Sequence, residues 1–143
     1  FLILLLGILF STLTYLNRVT ALPPTMEDVQ ALTWIKENTL SDSIIFSAPE
    51  NSYFIRFFAQ REPFAAPNQK EKREMTQNIS TALYIQDLFP LLEQEYITYI
   101  YLTPAMKRQL PPEQGLRFLL KNERFKLVYS SEDTEIWFFR QNK

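Results

Sequence analysis

The chain opens with a run of apolar residues that has no counterpart later in the sequence. Residues 1–16 carry no charged side chain, and the first charge is that of Arg18. A helix that crosses a membrane needs about 20 apolar residues, so this run is slightly short. It shows neither an initiator Met nor the basic residues with which a secretory signal peptide begins. We therefore expect residues 1–22 to be the C-terminal part of a transmembrane helix, with a buried helix of a soluble protein as the alternative.

After this run, the spacing of apolar residues alternates between the helical and the extended period. Pro23 and Pro24 disfavour helix immediately before them, which places a domain boundary here. The residues from Thr25 to Asp28 resemble a capping box and predict that a helix starts at about Met26. Periodicity and turn residues predict strands at 43–48, 64–66, 96–102, 125–129 and 135–139, and helices at 50–60, 70–87, 88–95 and from Pro111 to about Asn122.

This order of elements predicts the fold class. Helices alternate with uncharged strands, which is typical of an α/β layer with a largely parallel sheet. The last two strands flank the polar segment 130–134 and predict a β-hairpin. We therefore expect the transmembrane helix end to be followed, over residues 23–143, by a soluble α/β domain: a small, mostly parallel sheet with flanking helices and a C-terminal antiparallel β-hairpin.

Composition removes several classes of function. The 143 residues suit one domain, and 15 basic against 16 acidic side chains leave no positive field to hold nucleic acid. The sequence contains no His and no Cys, which excludes imidazole acid–base chemistry, thiol nucleophiles, disulfides and Cys/His zinc sites. Its two glycines, Gly7 and Gly115, lie too far apart to form a phosphate-binding loop.

Several segments resemble a known family. Residues 31–39 (ALTWIKENT), 43–47 (SIIFS) and 58–63 (FAQREP) resemble the start of the C-terminal extracytoplasmic domain of polytopic GT-C glycosyltransferases. The strand around 99–101 and the hairpin that begins at 125–129 resemble the rest of that domain. The resemblance covers most of residues 25–140, and it also implies a transmembrane helix directly before the domain.

The resemblance implies a function for the parent protein. GT-C enzymes transfer sugar from a lipid-phosphate carrier to an acceptor at the outer membrane face, and acidic residues in loops between their transmembrane helices hold a divalent metal or act as base. Those loops are not among these 143 residues. The resemblance therefore implies a fragment that shapes acceptor access, carries no catalytic residue and binds no cofactor, with any divalent metal in the missing membrane part. Its implied partners are the lipid bilayer, the remaining transmembrane helices, lipid-linked sugar and acceptor.

One branch of the family fits less well. Oligosaccharyltransferases carry Trp-Trp-Asp-Tyr-Gly just after the first strand of this domain, whereas the present chain has SAPENSY over residues 47–53. The resemblance therefore does not extend to recognition of a peptide acceptor. A membrane-anchored binding module without catalytic activity is the main alternative function, and a soluble enzyme of unknown type is the third.

Five polar residues are candidates for substrate binding. Glu50, Asn51 and Tyr53 follow the first predicted strand, where open parallel sheets bind ligands, and their side chains can hydrogen-bond sugar hydroxyls. The alternative for Glu50 is the acidic first turn of a helix. Arg61 has a guanidinium suited to a lipid phosphate, with an ion pair to Glu62 or another acid as its alternative. Asn68 follows a proline and is a turn residue or a ligand contact.

Overall fold

Residues 23–141 are described by a computed structural model, in which five strands form one sheet. The strands are β1 Ile44–Phe46, β2 Glu62–Pro63, β3 Ile97–Leu102, β4 Phe125–Ser131 and β5 Thr134–Phe139, in the spatial order β2-β1-β3-β5-β4. The helices are α1 Met26–Asn38, α2 over 49–59, α3 Lys70–Thr81, α4 Ile85–Gln94, α5 Pro104–Gln109 and α6 Leu116–Leu119. The predicted α/β class with a C-terminal hairpin is confirmed. The predicted transmembrane helix over 1–22 lies outside the described residues.

Four of the five strands run in the same direction. β1 lies between β2 and β3 and is parallel to both, with Ile45 opposite Pro63 and Tyr99. β5 runs against β3 and β4 and joins them through antiparallel pairing. The sheet is therefore mostly parallel, as predicted, and its reversed strand is the last one of the hairpin.

Helix α1 begins where its capping residues dictate. The Oγ1 of Thr25 accepts a hydrogen bond from the Asp28 backbone N–H at 3.1 Å, and Asp28 Oδ2 accepts one from the Thr25 backbone N–H at 3.0 Å. This reciprocal pair satisfies two backbone donors that have no partner within the helix. The helix then buries Ala31, Leu32 and Ile35 completely, so its apolar face lies against the sheet.

Two apolar cores cover the opposite faces of the sheet. One core joins α1 and α2 to the sheet and contains Leu32, Ile45, Ile55 and Tyr101. The larger core joins the four helices α3, α4, α5 and α6 to the other face of the sheet. Burial of side chains such as these stabilises the fold by about 1.5–3 kcal/mol each, so the helices on both faces hold the short strands in place.

The edge strand β2 begins two residues earlier in the chain than the strand predicted from sequence. The prediction of a strand over 64–66 is wrong, because the pairing with β1 is made by Glu62–Pro63. The Phe64 backbone N–H still donates to the Ile45 carbonyl at 2.9 Å, and the chain then leaves the edge. Residues 64–66 are buried, with the Phe64 ring 5.9 Å from that of Phe46. Their apolar side chains fill the core, which an exposed edge strand would not allow.

The predicted helix over 70–87 is two helices. α3 ends at Thr81 and α4 begins at Ile85, because the residues between them are extended at both caps. This break turns the chain so that Ile79 of α3 and Leu88 of α4 enter the same core. The second predicted helix, over 88–95, therefore begins three residues earlier than expected.

Two prolines lie in helices of this part of the chain. The predicted helix over 88–95 would hold Pro90 in its first turn, whereas Pro90 lies inside α4, with its ring exposed to solvent. Pro104 begins α5, a helix that the sequence analysis did not predict, and Thr103 caps it by accepting a hydrogen bond from a backbone N–H at 3.3 Å.

The predicted helix from Pro111 to Asn122 is reduced to α6. The chain reaches α6 through Gly115, whose φ of +67° breaks any helix that would continue across it. No helix within residues 23–141 combines the length and the apolar character that a membrane span requires.

Candidate functional site

The candidate site lies at the edge of the sheet where β1, β2 and β3 end, here called the carboxyl edge. From β1 the chain crosses to β2 on one side, whereas β3 lies on the other side of β1. The connections that follow β1 and β3 therefore lead away from each other. In open α/β sheets such a divergence leaves a crevice that binds ligands. The segments that border this crevice are residues 47–51 after β1 and residues 103–106 after β3.

The segment after β1 is held by hydrogen bonds to β3 and α5. The Ser47 hydroxyl is buried and donates to the Tyr101 carbonyl at 2.9 Å, and Asn51 Nδ2 donates to Ser47 Oγ at 2.9 Å. The sulfur of Met106 accepts from the Ala48 backbone N–H at 3.2 Å. These contacts fix the backbone that presents the next polar side chain, Glu50. The site is therefore preorganised by its own strand ends.

A cavity of about 590 Å³ opens on the α3 side of this segment, within the usual size range of small-molecule sites. Its apolar base comes from the start of α2 and from α5. Its walls carry polar side chains that project from α3 and from the segment between α5 and α6. The polar wall residues are Glu50, Arg73, Thr76, Gln77, Ser80, Thr81, Gln109 and Gln114.

The exposed polar groups of this cavity are available to a ligand. Among the described residues, Glu50, Arg73 and Gln77 make no side-chain hydrogen bond or ion pair, whereas the Thr76 hydroxyl donates to a carbonyl of its own helix at 2.8 Å. One carboxylate and one guanidinium balance in charge, and the amide both donates and accepts. This cavity can therefore bind a hydroxyl- or amide-bearing ligand without a net charge.

A second cavity, of about 280 Å³, opens on the α1 side of the same segment. Pro23 and Pro24 line it together with Asn51 and Tyr101. The Tyr101 hydroxyl donates to Asp28 Oδ1 at 2.9 Å. Burial raises the pKa of the Tyr101 phenol, and the Asp28 carboxylate raises it further, so this hydroxyl stays protonated and acts as a structural donor.

Acidic side chains gather beside the second cavity. A hydrogen bond with the Glu132 side chain raises the pKa of Glu27, and repulsion by neighbouring carboxylates adds to the effect. Within residues 23–141, however, no cluster of three or more acidic side chains has an arrangement that could hold a metal ion. The described part of the chain therefore offers a binding crevice and no metal centre.

The structure places three of the five sequence candidates at the carboxyl edge. Glu50 is exposed and lines the larger cavity, and Asn51 is half-buried and lines the smaller one. Tyr53 lies one turn further along α2, where its ring stacks on that of Phe57 at 5.9 Å and is 66% exposed. Asn51 and Glu50 are thus brought to the crevice, whereas Tyr53 points along the outer side of α2.

Arg61 lies away from the crevice and holds the end of α1. Its guanidinium donates to the Thr39 carbonyl at 2.7 Å, to the Thr39 hydroxyl at 2.9 Å and to the Lys36 carbonyl at 2.8 Å. The expected ion pair with Glu62 is not formed, because Glu62 pairs with Arg56 at 2.9 Å. The carbonyls at the end of α1 have no hydrogen-bond partner within the helix. They accept from the Arg61 guanidinium, where a carboxylate was expected.

Asn68 is an exposed turn residue between β2 and α3, as its position after a proline predicted. The turn is closed by its neighbour Gln69, whose side-chain oxygen accepts from the Ala66 backbone N–H at 3.0 Å. Asn68 is not among the residues that line either cavity of the site.

Sequence reasoning missed the polar wall of the larger cavity. Arg73 and Gln77 lie four residues apart and share one side of α3. The sequence analysis predicts only a helix here and assigns no role to these two residues. The signal that could have found this wall is the second polar stripe of α3, and only the fold shows that this stripe faces Glu50.

The fold occurs in solved structures. The chain is similar to the C-terminal globular domain of an oligosaccharyltransferase from Archaeoglobus fulgidus, with a TM-score of 0.67 and 15% identity over 83% of this chain and 100% of that one. A second structure of an oligosaccharyltransferase C-terminal globular domain from this organism gives a TM-score of 0.58 and 13% identity, over 83% of this chain and 98% of that one.

A longer protein contains the same fold. It is the archaeal oligosaccharyltransferase AglB from Archaeoglobus fulgidus in complex with an inhibitory peptide and a dolichol-phosphate, with a TM-score of 0.52, 17% identity and coverage of 84% of this chain but 18% of that one. No family model and no curated protein matches the chain. At the level of fold, these structures confirm the resemblance to the C-terminal domain of a glycosyltransferase.

Proposed function

We propose that this chain is the C-terminal part of a multi-spanning membrane glycosyltransferase of the GT-C type, which transfers sugar from a lipid-linked donor. Residues 23–143 form its extracytoplasmic domain, which shapes access of the acceptor and does not carry the catalytic acid. The observation that carries this proposal is the position of the crevice. Pro23 and Pro24, which follow the apolar segment 1–22, line one of its two cavities.

In this proposal the crevice lies close to a membrane surface. If residues 1–22 cross the bilayer, the chain leaves it at the carboxyl edge of the sheet, and that edge faces the headgroups. A lipid-linked sugar carries its reactive phosphate at the same level. The oligosaccharyltransferase in complex with an inhibitory peptide and a dolichol-phosphate has the same fold over 18% of its length, which supports a lipid phosphate and an acceptor as partners here.

The residues of the crevice suit an acceptor. Glu50 and Asn51 contact acceptor hydroxyl or amide groups in this proposal, and Tyr53 flanks them on α2. In this proposal the catalytic acid and any divalent metal belong to the membrane part of the parent protein. The localisation that follows is the cell membrane, with this domain on the extracytoplasmic side.

One observation favours the alternative of a membrane-anchored binding module. The segment over 47–53 departs from the Trp-Trp-Asp-Tyr-Gly motif of oligosaccharyltransferases, although it occupies the loop after the first strand. A crevice with this fold can thus bind a ligand without serving a transferase. Counting the apolar spans encoded upstream of Phe1 separates the two functions, since one span supports the module and eight or more support the enzyme.

The decisive experiment uses the whole parent protein with its lipid-linked donor. Gln77→Ala removes an amide from the cavity wall, and Asn78→Ala is the matched control, because Asn78 is the exposed neighbour of Gln77 on α3 and lies outside the cavity. We expect Gln77→Ala to raise the acceptor KM about tenfold, the equivalent of about 1.4 kcal/mol, with kcat unchanged. Equal KM values in the two variants contradict a role of this cavity in acceptor access.

Glu50→Gln tests whether the domain supplies the catalytic acid. Glu37→Gln is its control, since Glu37 is exposed near the end of α1, far from the carboxyl edge. The proposal predicts a higher acceptor KM for Glu50→Gln and at least half of the original kcat. A loss of kcat by several orders of magnitude at saturating acceptor would make Glu50 a catalytic group and overturn this part of the proposal.

A further inference from the structure

Helix α2 presents a continuous group of four aromatic side chains, Tyr53, Phe54, Phe57 and Phe58, here called the aromatic patch. The rings of Tyr53 and Phe57 are stacked, with centroids 5.9 Å apart and planes 11° apart. Phe57 meets Phe58 edge to face at 4.9 Å, and Phe54 lies 6.4 Å from Phe58. The inner rings, Phe54 and Phe58, pack against the core under α1.

The outer rings of the patch face solvent. Tyr53 is 66% and Phe57 61% exposed, although adjacent rings of this size are ordinarily buried. Leu40 and Tyr96 are as exposed, at 75% and 70%, but they stand before β1 and β3 at the opposite, amino edge of the sheet. Single exposed apolar residues are common on soluble proteins, whereas a contiguous apolar patch marks an interaction surface.

The four side chains of the patch carry no charge. Two charged side chains of α2 flank it in sequence: Arg56 forms an ion pair with Glu62 at 2.9 Å, and Glu50 lies one turn before Tyr53, where it lines the larger cavity. Tyr53 and Phe57 lie four residues apart on α2, a spacing that places two side chains next to each other on a helix surface, and their rings stack in parallel. The surface is thus apolar, with one phenol at the end nearer the carboxyl edge.

The point at which the chain enters the domain identifies the occupant of this surface. Phe54 lines the same cavity as Pro23 and Pro24. Twenty-two residues precede Pro23, and residues 1–16 carry no charged side chain. The first described residues after this uncharged run therefore lie beside Phe54, at one end of the aromatic patch.

We propose that the aromatic patch lies in the boundary between the headgroups and the acyl chains of a lipid bilayer, and that it fixes the tilt of the domain on the membrane. Tyr and Trp concentrate at this boundary, because their rings are apolar and their polar atoms reach water. A surface helix with an apolar side lies in the same layer. The inference rests on the proposed function, since that supplies the membrane anchor.

The experiment uses the absence of cysteine from the sequence. Single-cysteine full-length chains, Tyr53→Cys, Phe57→Cys and the controls Tyr96→Cys and Leu40→Cys, are labelled with a bimane fluorophore and reconstituted into phosphatidylcholine vesicles. Lipids with a nitroxide near the headgroup quench fluorophores at the boundary. We expect quenching at positions 53 and 57 to be at least threefold stronger than at positions 96 and 40, whose side chains are slightly more exposed to solvent.

The outcomes separate this inference from the proposed function. A chain that does not float with the vesicles in a density gradient overturns the membrane anchor and this inference together. A chain that floats but shows equal quenching at all four positions overturns this inference alone. Fluorescence at position 57 that changes with the ratio of protein to lipid, and not with nitroxide lipid, identifies a second copy of the chain as the occupant and also overturns it.

Discussion

Replacement of Arg61 by alanine tests whether this residue holds the fold or awaits a ligand. Its guanidinium donates to Thr39 through Nε and Nη2, to the Lys36 carbonyl, and to the carbonyls of Gln60 and Ala59 at 3.0 and 3.4 Å. These contacts link the end of α1 to the turn between α2 and β2. We expect Arg61→Ala to destabilise the domain.

The magnitude follows from the burial of each bond. The two short bonds to Thr39 are partly buried, and a hydrogen bond to a charged donor contributes about 1.5–3 kcal/mol. The bonds to Lys36 and Gln60 are exposed and contribute little. Counting the two bonds to Thr39 at the low end of that range, we expect Arg61→Ala to lower the free energy of unfolding by about 3 kcal/mol. Arg61→Lys keeps the charge but not the planar guanidinium, and we expect it to lower the free energy of unfolding by about 2 kcal/mol.

The assay is urea unfolding of the full-length chain in mild detergent, followed by tryptophan fluorescence. Trp34 of α1 packs 5.7 Å from the Tyr129 ring and reports on the attachment of this helix to the sheet. With an m value of about 1.5 kcal/mol per molar urea, a loss of about 3 kcal/mol lowers the midpoint by about 2 M.

Arg56→Ala is the matched control. It removes the same charge from α2, but its ion pair with Glu62 is exposed, with 51% and 62% of the two side chains accessible. Exposed pairs contribute about 0–1 kcal/mol, so the midpoint of this variant stays within about 0.7 M of the original. Equal midpoints for the two alanine variants refute the reasoning. If Arg61→Ala is then also deficient in binding phosphatidic acid vesicles, the phosphate role expected from sequence replaces the structural one.

Three further substitutions have outcomes that the structure predicts. Gly115→Ala is expected to cost about 1–3 kcal/mol in urea unfolding, because φ is +67° and the new Cβ would lie 3.0 Å from a backbone oxygen of α3. Tyr101→Phe is expected to cost about 1–2 kcal/mol, since it leaves Asp28 without its phenol donor. Glu27→Gln is expected to raise the melting temperature at pH 7. The raised pKa of Glu27 means that its contact with Glu132 favours the protonated form, and the gain should vanish near pH 4.

Local signals predicted the elements that depend on neighbouring residues alone. The capping box at Thr25 and Asp28 located the start of α1, and the uncharged run ITYIYL located β3. The hairpin of β4 and β5 also followed from alternation around a polar turn. In these cases the same residues that carry the signal also make the contacts.

Elements that depend on distant partners were misplaced. β2 is a strand only because β1 lies beside it, and Phe64 leaves the edge because Phe46 offers a buried contact. The break after Thr81 follows from the need of two helices to reach one core. The intrinsic helix and strand propensities of the residues carry no information about these contacts between distant parts of the chain.

The residues of the candidate site also differ in whether neighbouring or distant parts of the sequence determine their position. The position of Glu50 and Asn51 at the crevice follows from sequence, because they come directly after a predicted parallel strand. Arg73 and Gln77 were not found, since their role depends on how α3 crosses the sheet. For Arg61 the sequence offers a lipid phosphate or an acidic partner, because its neighbours in sequence do not reveal the carbonyls of α1, which lie more than 20 residues earlier.

The strand order imposes a sequence of events on folding. β1 has its parallel partner β3 far along the chain, with Ile45 opposite Tyr99, and β3 in turn needs β5, which ends at Phe139. Pairs so distant form slowly, whereas the hairpin of β4 and β5 forms locally. On the ribosome, α1 and β1 therefore emerge long before their partners and keep apolar surface open until residue 139 has been made. The final strand is thus the step that completes the sheet, and truncations before Phe139 should leave the chain dependent on chaperones.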